Sequence, residues 1–287
     1  VLSLSLALSA CHGATAGGLI PYMPFQVGGA AAANGGTLTV TTPQGWQVEL
    51  DQAVIAVGPF YFNIQPPETG TEESGTVIIQ ATSQIIVDAL DPTLYQVDAG
   101  ANGETGHAVA VEIELCPPDL SQSFVNQSLL NASPGAGQST VCDQGGSSAY
   151  ISGTAQREID GGVQVVPFDG YITIDQSLAN ASNPLPALQR VNGAGCDLNF
   201  TEAPQVLQAR IDPTHWFDQI DFSQLIPPPP TCTPEMDGGT CDAGPAWSPD
   251  AGPLTWPTDS AFNSQLVTGL QSQTGVYLFD LQPQESR

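Results

Sequence analysis

The chain has 287 residues, of which 29 are Asp or Glu and four are Arg, with no Lys, giving a formal charge of −25 at neutral pH. Such a surface repels phosphate backbones and anionic headgroups, which argues against nucleic-acid binding and against a basic membrane-contact patch. Charged residues make up only 11%, while 30 Gly and 25 Pro suit many short strands and turns in a chain long enough for one large β-domain.

Val1 to Ala10, VLSLSLALSA, carries no charge and runs directly into Cys11. An apolar run of about 7–15 residues ending in small residues has the form of a secretory signal, and is too short to span a bilayer. No Lys or Arg precedes it and the chain begins at Val1 rather than Met, so a basic leader is expected ahead of it. Leu8-Ser9-Ala10-Cys11 resembles a bacterial lipobox. The resemblance implies cleavage before Cys11 and a diacylglyceryl group on its thiol. Acyl chains contribute roughly 0.8 kcal/mol per buried CH₂, so several on one cysteine would hold the protein on a membrane. The expected organisation is therefore a signal at 1–10, a lipidated cysteine and flexible tether at 11–36, and one β-rich domain at 37–287. Gly and Ala dominate the tether, although Tyr22, Met23 and Phe25 are candidates for docking onto the body.

Strand signals follow in series. Thr37–Thr42 is the first, and Trp46–Asp51 alternates with Trp46, Val48 and Leu50 on one face. Ala53–Phe62 is an apolar run broken at Gly58-Pro59, where proline removes a ladder donor. Gln65–Gly75 reads as a polar loop and Thr76–Leu90 as Val/Ile-rich strand. His107–Leu115 alternates, placing Val109, Val111, Ile113 and Leu115 inward and Glu112 and Glu114 outward. After a polar excursion over 117–146, Ala149–Glu158 and Val163–Asp175 form a hairpin across Asp160-Gly161-Gly162. Cys196–Thr201, Gln205–Ile211 and Val276–Leu281 complete the strands. Asp212-Pro213 opens a short helix through Phe217. Asp259–Gln271 reads as a helix with Phe262, Leu266 and Leu270 on one stripe and Asp259 as its N-cap. Pro227–Pro257 is Pro/Gly/Asp low complexity, expected as an insertion at the surface. The pattern predicts a mainly β fold, an antiparallel β-sandwich or barrel-like domain with one or two short helices.

An extracytoplasmic compartment permits disulfides. Cys116 with Cys142, and Cys232 with Cys241, bracket loops and are the expected pairs, leaving Cys196 over; spacing alone does not fix the connectivity. No C-x-x-C exists and no His lies near a Cys in the body, which disfavours zinc.

The chain has three His, and His12 follows the lipidation position, so a histidine mechanism in the body must use His107 or His215. If the Asp212–Phe217 stretch is helical, Asp218 shares a face with His215. A divalent-cation site from His107, His215, Asp218 and Asp221 is one expectation. A capping or surface histidine beside Trp216 and Phe217 is the plainer one. Asp237, Asp242 and Asp250 offer oxygen ligands of a type suited to Ca²⁺, without the EF-hand spacing. No G-x-S-x-G elbow is present, and no catalytic residue can be assigned.

Asp212-Pro-Thr-His-Trp-Phe-Asp, with the terminal series Phe262, Gly269, Tyr277 and Phe279, is similar to uncharacterised bacterial lipoproteins. That likeness implies no activity and no functional residues. The expected function is a non-enzymatic, lipid-anchored extracytoplasmic β-domain, on the outer membrane of a Gram-negative cell, binding a cation or another envelope component such as a protein or glycan. The alternatives are a secreted hydrolase using two carboxylates on glycans, and a purely structural envelope protein.

Overall fold

The computed structural model describes residues 17–30, 37–66, 76–115, 147–174, 188–227 and 252–284. The fold is mainly β, an open sandwich-like arrangement and not a closed barrel. The first sheet runs β1 (Leu19–Met23), β9 (Ala101–Glu104), β6 (Val77–Ala81), β5 (Phe60–Asn63), β10 (Gly106–Glu114), β13 (Arg190–Phe200). The second runs β12 (Gly162–Thr173), β11 (Ser147–Ile159), β4 (Gln47–Val57), β3 (Leu38–Thr41), with β7 (Ile85–Asp88) also on β4. The third runs β15 (Tyr277–Pro283), β14 (Gln205–Ile211), β2 (Phe25–Gly29), β8 (Tyr95–Gln96).

Large aromatics hold the layers together. Phe25 of β2 meets Phe60 of β5 edge-on at 5.0 Å, and Phe62 of β5 meets Phe279 of β15 at 5.5 Å. The first sheet thus packs its inner face on the third, in the offset ring geometry that aromatic quadrupoles favour. β4 shows why its sequence changes character midway. Val48 and Leu50 alternate with exposed residues, whereas Ala53–Val57 is buried on both faces. The second face of that half is covered locally, where Val54 and Ala56 meet Ile86 of β7. At Gly58 (φ +104°) and a cis Gly58–Pro59 peptide the chain passes from β4 into β5. A Cβ on Gly58 would lie 2.5 Å from the Ser83 carbonyl oxygen, so only glycine fits.

The hairpin of β11 and β12 pairs from Ser147 opposite Thr173 to Ile159 opposite Gly162, with its turn at Asp160-Gly161. Helix α1 (Ala261–Leu270) buries Phe262, Leu266 and Leu270 on one stripe as the periodicity predicts. Its N-cap is Ser260 and not Asp259: the Ser260 hydroxyl accepts from the Asn263 N–H at 3.1 Å. Buried Asn263 then docks the helix on β12, donating to the Thr173 carbonyl at 2.6 Å and accepting from its N–H at 3.1 Å.

Sequence expectations also change at the N-terminal segment and on β10, where the register shifts between Ala108 and Ala110 and leaves Val109 only half-buried. Leu19–Gly29 is not tether. It forms β1 and β2, and β2 pairs in parallel with β14 while Phe25 and Val27 are fully buried. Glu112 does not face water either. Its side chain is 4% exposed and its carboxylate lies 2.9 Å from Arg190 Nη1, while Glu114 lies 3.6 Å from Nη2 of the same guanidinium. The alternation placed both acids on the second face of β10 correctly, but that face is covered. Of the 227–257 insertion, the end is described: Leu254 pairs with Phe168 of β12, and Trp256 packs 5.0 Å from Phe262.

Candidate functional site

The segment 212–226 gathers most of the residues singled out from sequence. Asp212 is extended and caps a 3₁₀ turn, Pro213–Phe217, with Pro213 at its start where a missing N–H costs nothing. The Asp212 carboxylate accepts from the Thr214 N–H at 2.9 Å and from the Thr214 hydroxyl. Asp221 caps a second turn, Phe222–Leu225, through the Ser223 N–H at 3.0 Å. The repeated Asp-to-N–H geometry explains why this run folds as two tight turns and not as one helix.

His215 Nδ1 lies 2.9 Å from Asp218 Oδ2, so the two share a face as their spacing predicts. The pair is exposed, and the Asp218 carbonyl accepts from the Gln44 amide at 2.8 Å. His107 takes a different partner, Asp197, at 2.6 Å, and both side chains are more than half exposed. Asp221 is engaged with neither histidine. It accepts from the Trp46 indole N–H at 3.2 Å and lies 3.6 Å from Arg157, whose guanidinium stacks 4.3 Å above the Trp46 ring. Among the described residues no three His, Cys, Asp or Glu side chains converge as a metal requires, so His107, His215, Asp218 and Asp221 do not form one centre. Asp237, Asp242 and Asp250 lie outside the described residues, as do Cys11, Cys116, Cys142, Cys232 and Cys241.

Burial pushes the Asp221 carboxyl up, but the Ser223 backbone and hydroxyl, the Trp46 indole and Arg157 outweigh it and leave it below its ordinary value of 3.8. A carboxyl depressed by folding stabilises above its unfolded value and loses that contribution as pH falls through the folded one. Asp221→Ala is therefore expected to cost about 1 kcal/mol at neutral pH, the usual loss of an N-cap. The deficit should shrink as pH is taken well below 3.8. Urea melts of both proteins across that range check it; a deficit independent of pH would contradict the assignment.

Cys196 is free, and burial, then the charge of Asp197, pushes its thiol up to about 12. Such an environment favours the protonated thiol, the less nucleophilic form.

A groove of about 280 Å³, not anticipated from the sequence, lies among the described residues between the β1–β2 connection and the β13–β14 turn. Leu19, Tyr22, Pro24, Glu202, Pro204 and Gln284 line it. Leu19 is 73% exposed and Tyr22 55%, so the groove carries two large apolar side chains in contact with solvent. The rim is fixed by backbone bonds: Leu207 N–H to the Pro24 carbonyl at 2.9 Å and Gln284 N–H to the Pro204 carbonyl at 3.0 Å. Among the described residues that line it Glu202 is the one carboxylate, and the paired acids of glycoside hydrolysis need two. The sequence signal was Leu19-Ile20-Pro21-Tyr22-Met23, an apolar patch inside a Gly/Ala-rich stretch.

No family model, no curated protein and no solved structure matches the chain.

Proposed function

We propose that this chain is a lipid-anchored, non-enzymatic β-domain of the cell envelope that binds another envelope component in the groove of Leu19 and Tyr22. The lipobox resemblance supports the anchor, and the groove supports the binding. The observation that carries the reading is where the body starts. β1 begins at Leu19, eight positions after Cys11 (19 − 11), so the connection spans at most about 29 Å fully extended. A lipid on Cys11 thus holds the groove beside the membrane. Its surface is mixed: an exposed aromatic and leucine among prolines, two glutamine amides and, among the described residues, a single acid. That chemistry suits a glycan or a peptide, with apolar contact giving affinity and a few polar groups fixing orientation. The cation version of the function gains no support from the His–Asp pairs, which stand apart.

Anchoring and binding separate experimentally. Cys11→Ser is expected to move the protein from the membrane to the soluble fraction. Purified and mixed back at high concentration, that form should still co-sediment with washed cell envelopes. Adding Leu19→Glu and Tyr22→Ala should weaken the retention roughly tenfold, as expected for loss of a central aromatic and its apolar neighbour. A Cys11→Ser form that never co-sediments, or one indifferent to the groove substitutions, contradicts the binding reading.

A further inference from the structure

The groove opens onto a sheet face. Pro24 stands one residue before β2, Gln205 opens β14 and Gln284 follows β15, and all three line the groove. β2 and β14 are parallel, so both run outward from it in the same direction. The odd-numbered residues of the third sheet face the core: Phe25, Val27, Leu207, Ala209, Ile211 and Tyr277 are buried there. Alternation puts the even-numbered residues on the opposite face. The register aligns these in rows. Val206 lies opposite Gln282. Asp280, Gln208, Gln26 and Gln96 form the next row, across all four strands, and Leu278, Arg210 and Gly28 form the one after. From Val206 to Arg210 this track is about 13 Å long, at roughly 3.3 Å per residue. It ends at Gly28, where a Cβ would clash with the Thr93 carbonyl.

Solvent reaches these side chains. Leu278 is 44% exposed, Asp280 and Gln282 are exposed, and Gln26, Gln208 and Arg210 are half-buried. They are also held in place. The Gln208 amide donates to Gln26 Oε1 at 3.2 Å, and the Gln282 amide donates to the Asp280 carboxylate. Gln96 donates to the Phe25 and Val97 carbonyls at 2.9 and 3.1 Å. Arg210 donates to the Gly29 and Pro92 carbonyls, each at 2.9 Å. An amide is donor and acceptor at once, which matches a hydroxyl, and side chains already held in place lose little entropy on binding. The face is formally neutral, one Arg against one Asp, on a chain of net charge −25. Its large apolar side chains are Val206 and Leu278, too few for the desolvated centre of a protein interface. An occupant with many hydroxyls and no charge fits this chemistry; a hydrophobic protein surface or a nucleic acid does not.

We propose that the outer face of the third sheet, from the groove to the Thr93 carbonyl, is a binding track for a neutral glycan. The inference rests on the groove reading and names its occupant. One end of the glycan lies against Leu19 and Tyr22, and the sugars that follow hydrogen-bond to Gln282, Asp280, Gln208 and Gln26. The fixed rows set its direction, and Thr93 closes the far end.

The test uses the purified Cys11→Ser form and washed envelopes. Digesting the envelopes with proteinase K, then inactivating the protease, should leave retention unchanged. Vesicles of phosphatidylethanolamine and phosphatidylglycerol should retain nothing. Retention should also be the same from about 0.05 to 0.5 M salt, because screening acts on charge and the occupant carries none. Gln208→Ala with Gln282→Ala should weaken retention roughly tenfold, as expected for two lost hydrogen bonds, with unchanged circular dichroism. Leu278→Arg crowds the same track from an exposed position and should weaken retention too, which keeps the proposal testable if the double variant folds poorly. Loss of retention after proteolysis, retention by the vesicles, weakening by salt, or wild-type retention of either folded face variant overturns the proposal. The groove reading fails separately. If Leu19→Glu with Tyr22→Ala is retained like the parent while the face variants are not, the groove is removed and the track stands. No retention on untreated envelopes overturns both.

Discussion

Phe222→Ala is expected to destabilise the protein by about 3–5 kcal/mol, the usual range for truncating a fully buried Phe. Phe222 is 0% exposed and joins four other aromatic rings. Its centroid lies 5.6 Å from Trp46, 5.0 Å from Phe168, 6.0 Å from Phe217 and 5.5 Å from Phe262. Those rings belong to the entry of β4, to β12, to the first 3₁₀ turn and to α1. One side chain thus joins the second sheet to the excursion 212–226 and to the helix. Alanine leaves a cavity that rigid neighbours fill poorly, so the transfer loss and the cavity cost add. Against a total stability of roughly 5–15 kcal/mol this is a large fraction. Urea denaturation should show a lower midpoint with an unchanged slope. A loss under about 1 kcal/mol would mean that the aromatic cluster collapses around the gap and that Phe222 does not join these elements.

The second large effect concerns the ion cluster on the outer face of the first sheet. Arg190→Met is expected to cost about 3–5 kcal/mol, because it strips the guanidinium from a carboxylate that stays out of water. The Arg190 and Glu112 side chains are 7% and 4% exposed, and 2.9 Å separates their charged atoms. Glu114 shares the same cation at 3.6 Å. Breaking such a pair costs more than the pair contributes against a neutral replacement, because the surviving charge loses its compensation. Two variants tell these apart. Arg190→Met alone should be severely destabilised. Combining it with Glu112→Gln and Glu114→Gln should recover much of the loss. If the single variant melts like wild type, the guanidinium is dispensable to Glu112 and the cluster is not a structural constraint.

The strands were legible where burial follows period two. Trp46, Val48 and Leu50 fall on one buried face, and the β11–β12 hairpin turns where Asp160-Gly161 announces it. The stripe Phe262, Leu266, Leu270 likewise gave the helix. What escaped the sequence was non-local. β2 lies inside a Gly/Ala-rich stretch that composition reads as tether, and its partner β14 follows far along the chain. Local pattern cannot reveal a parallel pairing of that kind. The same limit hid the cover over Glu112, since alternation names a face without saying what lies above it. Within the candidate site, the His215–Asp218 contact followed from spacing alone. The diversion of Asp221 to Trp46 and Arg157 did not, because it joins three separate stretches of chain.

The most direct measurement is the mass of the N-terminal peptide of the protein extracted from membranes. The mature chain is expected to begin at Cys11, with a diacylglyceryl group on its thiol, and the protein is expected to pellet with the envelope. A chain that begins elsewhere, or an unmodified Cys11 on a soluble protein, would contradict the lipid anchor and leave the groove of Leu19 and Tyr22 with no membrane to face.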